Sequence, residues 1–426
     1  MKSSIHLAVR GCLLLSFALV ASAQAGALDW TEQEIVASAG AANEGLGRGA
    51  AVFGDTAFVG APGAAADGTV YVFTRGSDGV WMQTQQLNAI ASPDGADFGI
   101  SIALSADTAV IGADRTTLTD DGNRHQGEVY VFSRGDDGQW TQTQALTAPD
   151  FRAEALFGNA VALSGSTILV GAYNTMVGDN GYQGAAYVFT LSKGVWGETQ
   201  KLVADDGAGG DDFGNAVALD GTRAVIGAFY GSGAVGQSGA AYVFESSGGT
   251  WAQTAKLSAD DGAFFDTFAT GVAVAGDSAI ITSQSAQIGD NGGQGAAYVF
   301  ALGDNGWSQT QKLVAADGAA SDAFGSAIAI DGDQAVIGAS SANNYTGAAY
   351  VFARAGSDWS ELGKLVASDG AEFDNFGYAV ALSGDTVLAG APLRQVGDNA
   401  SQGAAYLYTQ PADETIFADG FDGVAP

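Results

Sequence analysis

Residues 311–352 read QKLVAADGAASDAFGSAIAIDGDQAVIGASSANNYTGAAYVF, and nearly all of the 426-residue chain is a variation on this phrase. An apolar ending (KLVA) runs into an acidic glycine loop (ADGAASD), then Phe324-Gly325. An alternating strand (SAIAI), a tight polar turn (DGD), an apolar strand ending in Gly-Ala (AVIGA), a variable loop and a fourth strand-like piece (GAAYVF) follow. Phe-Gly recurs at Phe98, Phe157, Phe213 and Phe376, with degenerate copies at Leu46-Gly47 and Phe268-Ala269, making seven in all. Gly-Ala recurs from Gly60 to Gly390, replaced by Ile281-Thr282 in the fifth copy. Tyr-Val-Phe recurs from Tyr71 to the variant Tyr406-Leu407-Tyr408. Such self-similarity marks a repeat architecture, and it outranks any local propensity.

Tryptophan decides how the repeats are joined. Trp81, Trp140, Trp196, Trp251, Trp307 and Trp359 each follow a Tyr-Val-Phe and open a strand-like piece, as in WSQTQKLVA. No tryptophan follows Tyr406, but a matching piece, WTEQEIVAS, stands at the front of the chain from Trp30. The last repeat lacks its outer strand and the N-terminus supplies one. That exchange serves a closed ring, not a linear stack. Units of roughly 50 to 60 residues, each reading as four strands with short turns such as Asp331-Gly332-Asp333, predict an all-β, seven-bladed β-propeller of four-stranded blades, closed by an N-terminal outer strand from Trp30.

The run FG…AV…GD…AVIGA…GAAYVF resembles the FG-GAP repeat, the unit of the integrin α-subunit head propeller, and is most similar to its short bacterial variety. The resemblance covers about residues 30 to 410 and implies one propeller domain over 24–410, Gly60-Ala61-Pro62 and Gly390-Ala391-Pro392 keeping the full Gly-Ala-Pro. It implies a propeller devoted to binding or adhesion. One departure matters. Integrin-type repeats often carry a calcium loop between Phe-Gly and Gly-Ala-Pro, where this chain has only a tight turn such as Asp331-Gly332-Asp333 or Ser383-Gly384-Asp385. A turn of that size cannot offer the six to eight oxygens calcium takes.

Composition sets the remaining bounds. Sixteen Lys and Arg stand against 47 Asp and Glu, a net charge of -31, which disfavours nucleic acid and anionic membranes and favours cations or basic partners. Residues 1–23, with Lys2 and Arg10 before the apolar LLLSFALVASA, predict a cleaved secretory signal, with an alternative cut at 25. The only cysteine, Cys12, leaves with it, so the expectation is a secreted or cell-envelope bacterial protein, without disulfides, not membrane-spanning when mature, and monomeric. Residues 411–426 form an acidic tail outside the repeats.

Chemistry has few carriers. His6 leaves with the signal, so His125 is the one histidine of the mature chain; no zinc cluster and no Ser-His-Asp or Cys-His set is available, and G-x-S-x-G is absent. The repeated Lys201, Lys256, Lys312 and Lys364 read as solubilising residues of outer strands. The loops between second and third strands should share one face with the connectors between blades, and that face collects acids. Asp205, Asp206, Asp211, Asp212, Asp260, Asp261, Asp266, Asp317, Asp322, Asp369 and Asp374 form a candidate acidic rim for weak calcium binding or a basic partner. The competing reading is that these are turn formers capping their own backbone. The expected function is a non-enzymatic binding or adhesion platform for a protein or glycan, with no cofactor beyond weak calcium. The alternative is an extracellular carbohydrate-active enzyme using loop carboxylates.

Overall fold

The computed structural model describes residues 30–410 apart from 66, 91–94, 119–124 and 151–152. The expected signal segment and acidic tail lie outside the described residues. Twenty-eight strands make seven antiparallel four-stranded sheets. Six run in sequence order from inside to outside, beginning with Gly49–Phe53, Thr56–Ala61, Thr69–Arg75 and Trp81–Leu87 as blade one. The seventh is composite. Val380–Ser383, Thr386–Ala391 and Ala404–Thr409 are completed by Thr31–Ile35, whose Glu34 sits opposite Tyr406. Its innermost strand packs on those of both blade six and blade one, so the ring is closed.

Blade six shows why this sequence makes this object. The innermost strand Phe324–Asp331 intersperses Ser326, Ala327 and Ala329 among its larger residues, small side chains that suit the crowded axis. Gln334–Ala339 is buried on both faces between neighbouring blades, hence its unbroken apolar run. In Ala348–Ala355, Tyr350 and Phe352 point to one face, as their spacing requires. There they grip Phe324 edge-on, at 5.5 and 6.0 Å. Phe324 is fully buried, a contribution of about 2–3 kcal/mol at each repeat. The same ring trio recurs around Phe98, Phe157, Phe213, Phe268 and Phe376. The core is not one volume but seven wedges, each shared by two adjacent blades.

Polar clasps fix the blades in register. Gln85, on the outer strand of blade one, gives and takes a hydrogen bond with the backbone of Trp140 in blade two, at 2.7 and 2.8 Å. Gln144–Trp196, Gln200–Trp251 and Gln311–Trp359 repeat it. Gln33 of the N-terminal strand makes the same clasp with Trp81. Blade four has Ala255 where the clasp needs glutamine, and Trp307 beyond it is only half-buried.

Gly338 shows why the Gly-Ala marker favours glycine, although in the fifth copy the strand register places Thr282-Ser283 at the marker, one residue beyond the Ile281-Thr282 expected. A Cβ on Gly338 would stand 2.1 Å from the Gly377 carbonyl oxygen of the next blade. On the opposite rim the Asp331-Gly332-Asp333 turn places Gly332 at φ +57, and Asp331 accepts the Gly384 N–H of blade seven at 2.8 Å. Gly54 N–H donates to Ser383 Oγ at 3.1 Å, carrying this chain of turns across the closure.

Candidate functional site

The loops between second and third strands meet the connectors between blades on one rim. After blade six the N–H groups of Phe373 and Asn375 donate to the carbonyls of Asn344 and Tyr345. After blade five Ser321 and Ala323 do the same with Gly292 and Gly293, and at the closing seam Asn43 and Gly45 with Ala400 and Ser401. Among the described residues, six of the seven seams hold a left-handed residue on both sides. His125, Tyr182, Gln237, Gly293, Tyr345 and Ser401 lie on the loop side, and Glu154, Gly210, Phe265, Ser321, Phe373 and Asn43 on the connector side. One backbone frame thus carries a different pair of side chains at each seam. His125 Nδ1 lies 3.0 Å from Glu154 Oε2, so the sole described histidine belongs to such a pair.

Nine of the eleven candidate acids fall into three structural classes. Asp211, Asp266, Asp322 and Asp374 are buried and cap their own connectors, accepting the N–H of Ala208, Ala263, Ala319 and Ala371 at 2.7–2.8 Å. Asp206, Asp261 and Asp317 are clamps. Each binds the lysine of the following blade, Lys256, Lys312 or Lys364, at 2.6–2.8 Å, and a tyrosine hydroxyl of that blade, Tyr242, Tyr298 or Tyr350. Burial works to raise these three carboxyls, but the lysine and tyrosine hydrogen bonds outweigh it and hold them below the ordinary range. Asp150 belongs with them, paired to Lys201 and Tyr187. Asp205 and Asp260 are exposed. Their backbone N–H groups are held by Gln253 and Gln309.

The expectation that the repeated lysines are solubilising residues is therefore corrected. Their Nζ atoms lie 5.1–5.4 Å over the rings of Tyr187, Tyr242, Tyr298 and Tyr350, each between an aromatic face and a carboxylate. Blade seven solves the same problem differently. Its borrowed outer strand carries Glu34 at the lysine position, opposite Tyr406. Arg394 reaches in from the loop to bind Asp369, with Asp374 at 3.2 Å and Glu34 at 3.8 Å. Tyr406 donates to Asp369 at 2.8 Å.

Asp212 stands apart among the candidates. It is buried, and burial with the neighbouring Asp211 charge raises its carboxyl to about 7. Sequence reasoning missed a companion, Asp114, at the end of the second strand of blade two. Burial and Asp97 raise it to about 6, and its Oδ1 is buried without a hydrogen-bond partner. Tyr173 of the intervening blade feels both charges, burial being the larger cause of its raised hydroxyl. Asp114 occupies the position after Gly-Ala where Pro62 and Pro392 stand in their repeats, and that deviation was the one signal in the sequence. Among the described residues no three His, Cys, Asp or Glu side chains converge as a metal site, and no helix is long and apolar enough to cross a membrane.

The FG-GAP repeat profile matches residues 30–73, 81–132, 140–189, 196–244, 251–300, 307–352 and 359–408. Six matches begin on the outer strand of one blade and the first begins at Trp30, immediately before the borrowed strand; each ends on the third strand of the next blade. No curated protein matches the chain. Seven in-register matches, seven four-stranded blades and a strand exchange at the closure agree: the chain belongs to the FG-GAP repeat family and forms a seven-bladed β-propeller resembling that of the integrin α subunit.

Proposed function

We propose that this is a secreted, non-enzymatic binding propeller of the bacterial cell exterior, presenting its seam face to a protein or glycan partner. The observation that carries the reading is the seam frame. Its backbone hydrogen bonds and left-handed φ values repeat from blade to blade, while the side chains mounted on it differ. A rigid scaffold with variable residues at fixed positions is how loops on conserved folds acquire binding specificity. The strongly negative charge favours cationic partners over nucleic acid. The reading assigns no resident cofactor.

The test is a pull-down and glycan-array comparison of the wild type with a variant trimmed at 179–183, a seam loop. A partner captured by the wild type and lost on trimming is the expected result; a partner held equally by both removes the seam face as the binding surface. A carbohydrate-active enzyme is the second reading. Asp114 and Asp212, raised to about 6 and about 7 on either side of Tyr173, favour it. Turnover of any polysaccharide that disappears in Asp212→Asn would establish it over the first.

A further inference from the structure

Two of the seams carry aromatic groups that the frame itself does not need. After blade four, Phe264, Phe265 and Tyr230 cluster, with Phe265 4.0 Å from Phe264 and 6.3 Å from Tyr230 between ring centroids. After blade six, Tyr345 and Phe373 stack at 5.8 Å with ring planes 18° apart. These rings are open to solvent: Phe264 is 59 % exposed, Phe265 51 %, Phe373 59 % and Tyr345 46 %. Phe265 and Phe373 also hold φ of +64 and +73, at the position filled elsewhere by Glu154, Gly210, Ser321 and Asn43. A bulky residue in that region is strained, and neither gains burial in return. Strain held at an exposed position is an indication of a role outside the fold.

The surroundings say what would cover the rings. Exposed Glu372 adjoins Phe373, and exposed Asp260 lies on the connector of Phe264 and Phe265. The chain also shows, inside each clamp, what it does with an aromatic face beside a carboxylate. Lys312 Nζ sits 5.1 Å over the Tyr298 ring and 2.7 Å from Asp261, and Arg354 lies 5.7 Å over Trp359 while bound to Asp333. At the two seams no cation of the chain is found over the rings of Phe264, Phe265, Tyr345 or Phe373 among the described residues. We propose that these two aromatic groups dock a basic segment of a protein partner, its arginine or lysine side chains lying over the rings and against the adjoining carboxylates. The proposal rests on the binding reading above and names its partner class.

The test uses the full chain, immobilised, with deca-arginine, deca-lysine, deca-glutamate and a neutral chito-oligosaccharide as probes, at low and high salt. Phe265→Asn with Phe373→Asn is the decisive variant, because the chain itself places Asn43 at this position. The expected result is capture of deca-arginine, weakened by salt and weakened about tenfold in the double variant, whose melting temperature is no lower than that of the wild type. Three results overturn the proposal. One is unchanged deca-arginine binding in the double variant, which leaves general charge attraction only. Another is a lowered melting temperature, which makes the phenylalanines structural. The third is oligosaccharide binding lost in the double variant while deca-arginine is not captured, which makes the rings a sugar platform. Failure of every probe on the wild type ends the basic-segment proposal alone; the binding reading is still decided by trimming 179–183, which leaves both aromatic groups in place.

Discussion

Arg394→Met should weaken the ring at its one discontinuous joint. Arg394 is the cation for three carboxylates, and its side chain is 16 % exposed. Two of the carboxylates come from the last connector and one, Glu34, from the borrowed N-terminal strand. Asp374 is 6 % exposed, so its loss of a partner approaches the 3–5 kcal/mol of a broken buried pair, reduced because it keeps the Ala371 N–H. Glu34 and Asp369 are 37 % and 43 % exposed, and each adds less than about 1 kcal/mol after screening. The expected cost is about 2–4 kcal/mol in urea unfolding near neutral pH, against about 1 kcal/mol or less for Lys256→Met, where an exposed lysine serves one carboxylate. The loss should localise: amides of Thr31–Ile35 should exchange faster in Arg394→Met, and those of blade four should not. It should also shrink in acid. Burial and then Asp369 already raise the Glu34 carboxyl, with Arg394 opposing them, so without the arginine Glu34 protonates more readily and its repulsion with Asp369 fades as pH falls. A cost for Arg394→Met no larger than that for Lys256→Met, or one independent of pH, would refute this account of the closure.

Two further outcomes follow from named geometry. Asp212 is raised from 3.8 to about 7, so the native state holds its proton more tightly than the unfolded chain and stability falls as pH rises between those values. Asp212→Asn should therefore stabilise the protein by up to about 4 kcal/mol at pH 8 and hardly at all near pH 3, read from melting curves at both; equal gains at both would show that the charge is not the cause. Gly338→Ala drives a Cβ to 2.1 Å from a backbone oxygen of the next blade and should cost about 3 kcal/mol or more, whereas Gly332→Ala, in open space at φ +57, should cost about 1 kcal/mol by chemical denaturation.

Much of the ring was legible because its signals are local and repeated. The tryptophan that follows the Tyr-Val-Phe marker in every repeat but the last, and stands instead at Trp30, foretold that Thr31–Ile35 would complete the seventh sheet. The acidic rim was less legible. Asp206 and Asp211 are five residues apart in one glycine-rich loop, yet one is a clamp for the next blade and the other a cap for its own connector. Nothing local separates them, since the difference lies in what the neighbouring blade brings within reach. The lysines were misread for the same reason: on an outer strand a lysine looks solvated, and only the docked connector supplies its carboxylate.

By itself the sequence determined the class of object, the number of blades and the exchange of the outer strand, because each depends on short-range periodicity and turn chemistry. Tertiary structure alone decided which acids are spent on holding blades together, that Arg394 replaces a lysine at the closure, that burial raises Asp114 and Asp212, and that strained phenylalanines stand uncovered on the seam face. These depend on burial and on contacts between residues some fifty positions apart, the length of one repeat, and a linear reading of the chain carries no distance across a seam.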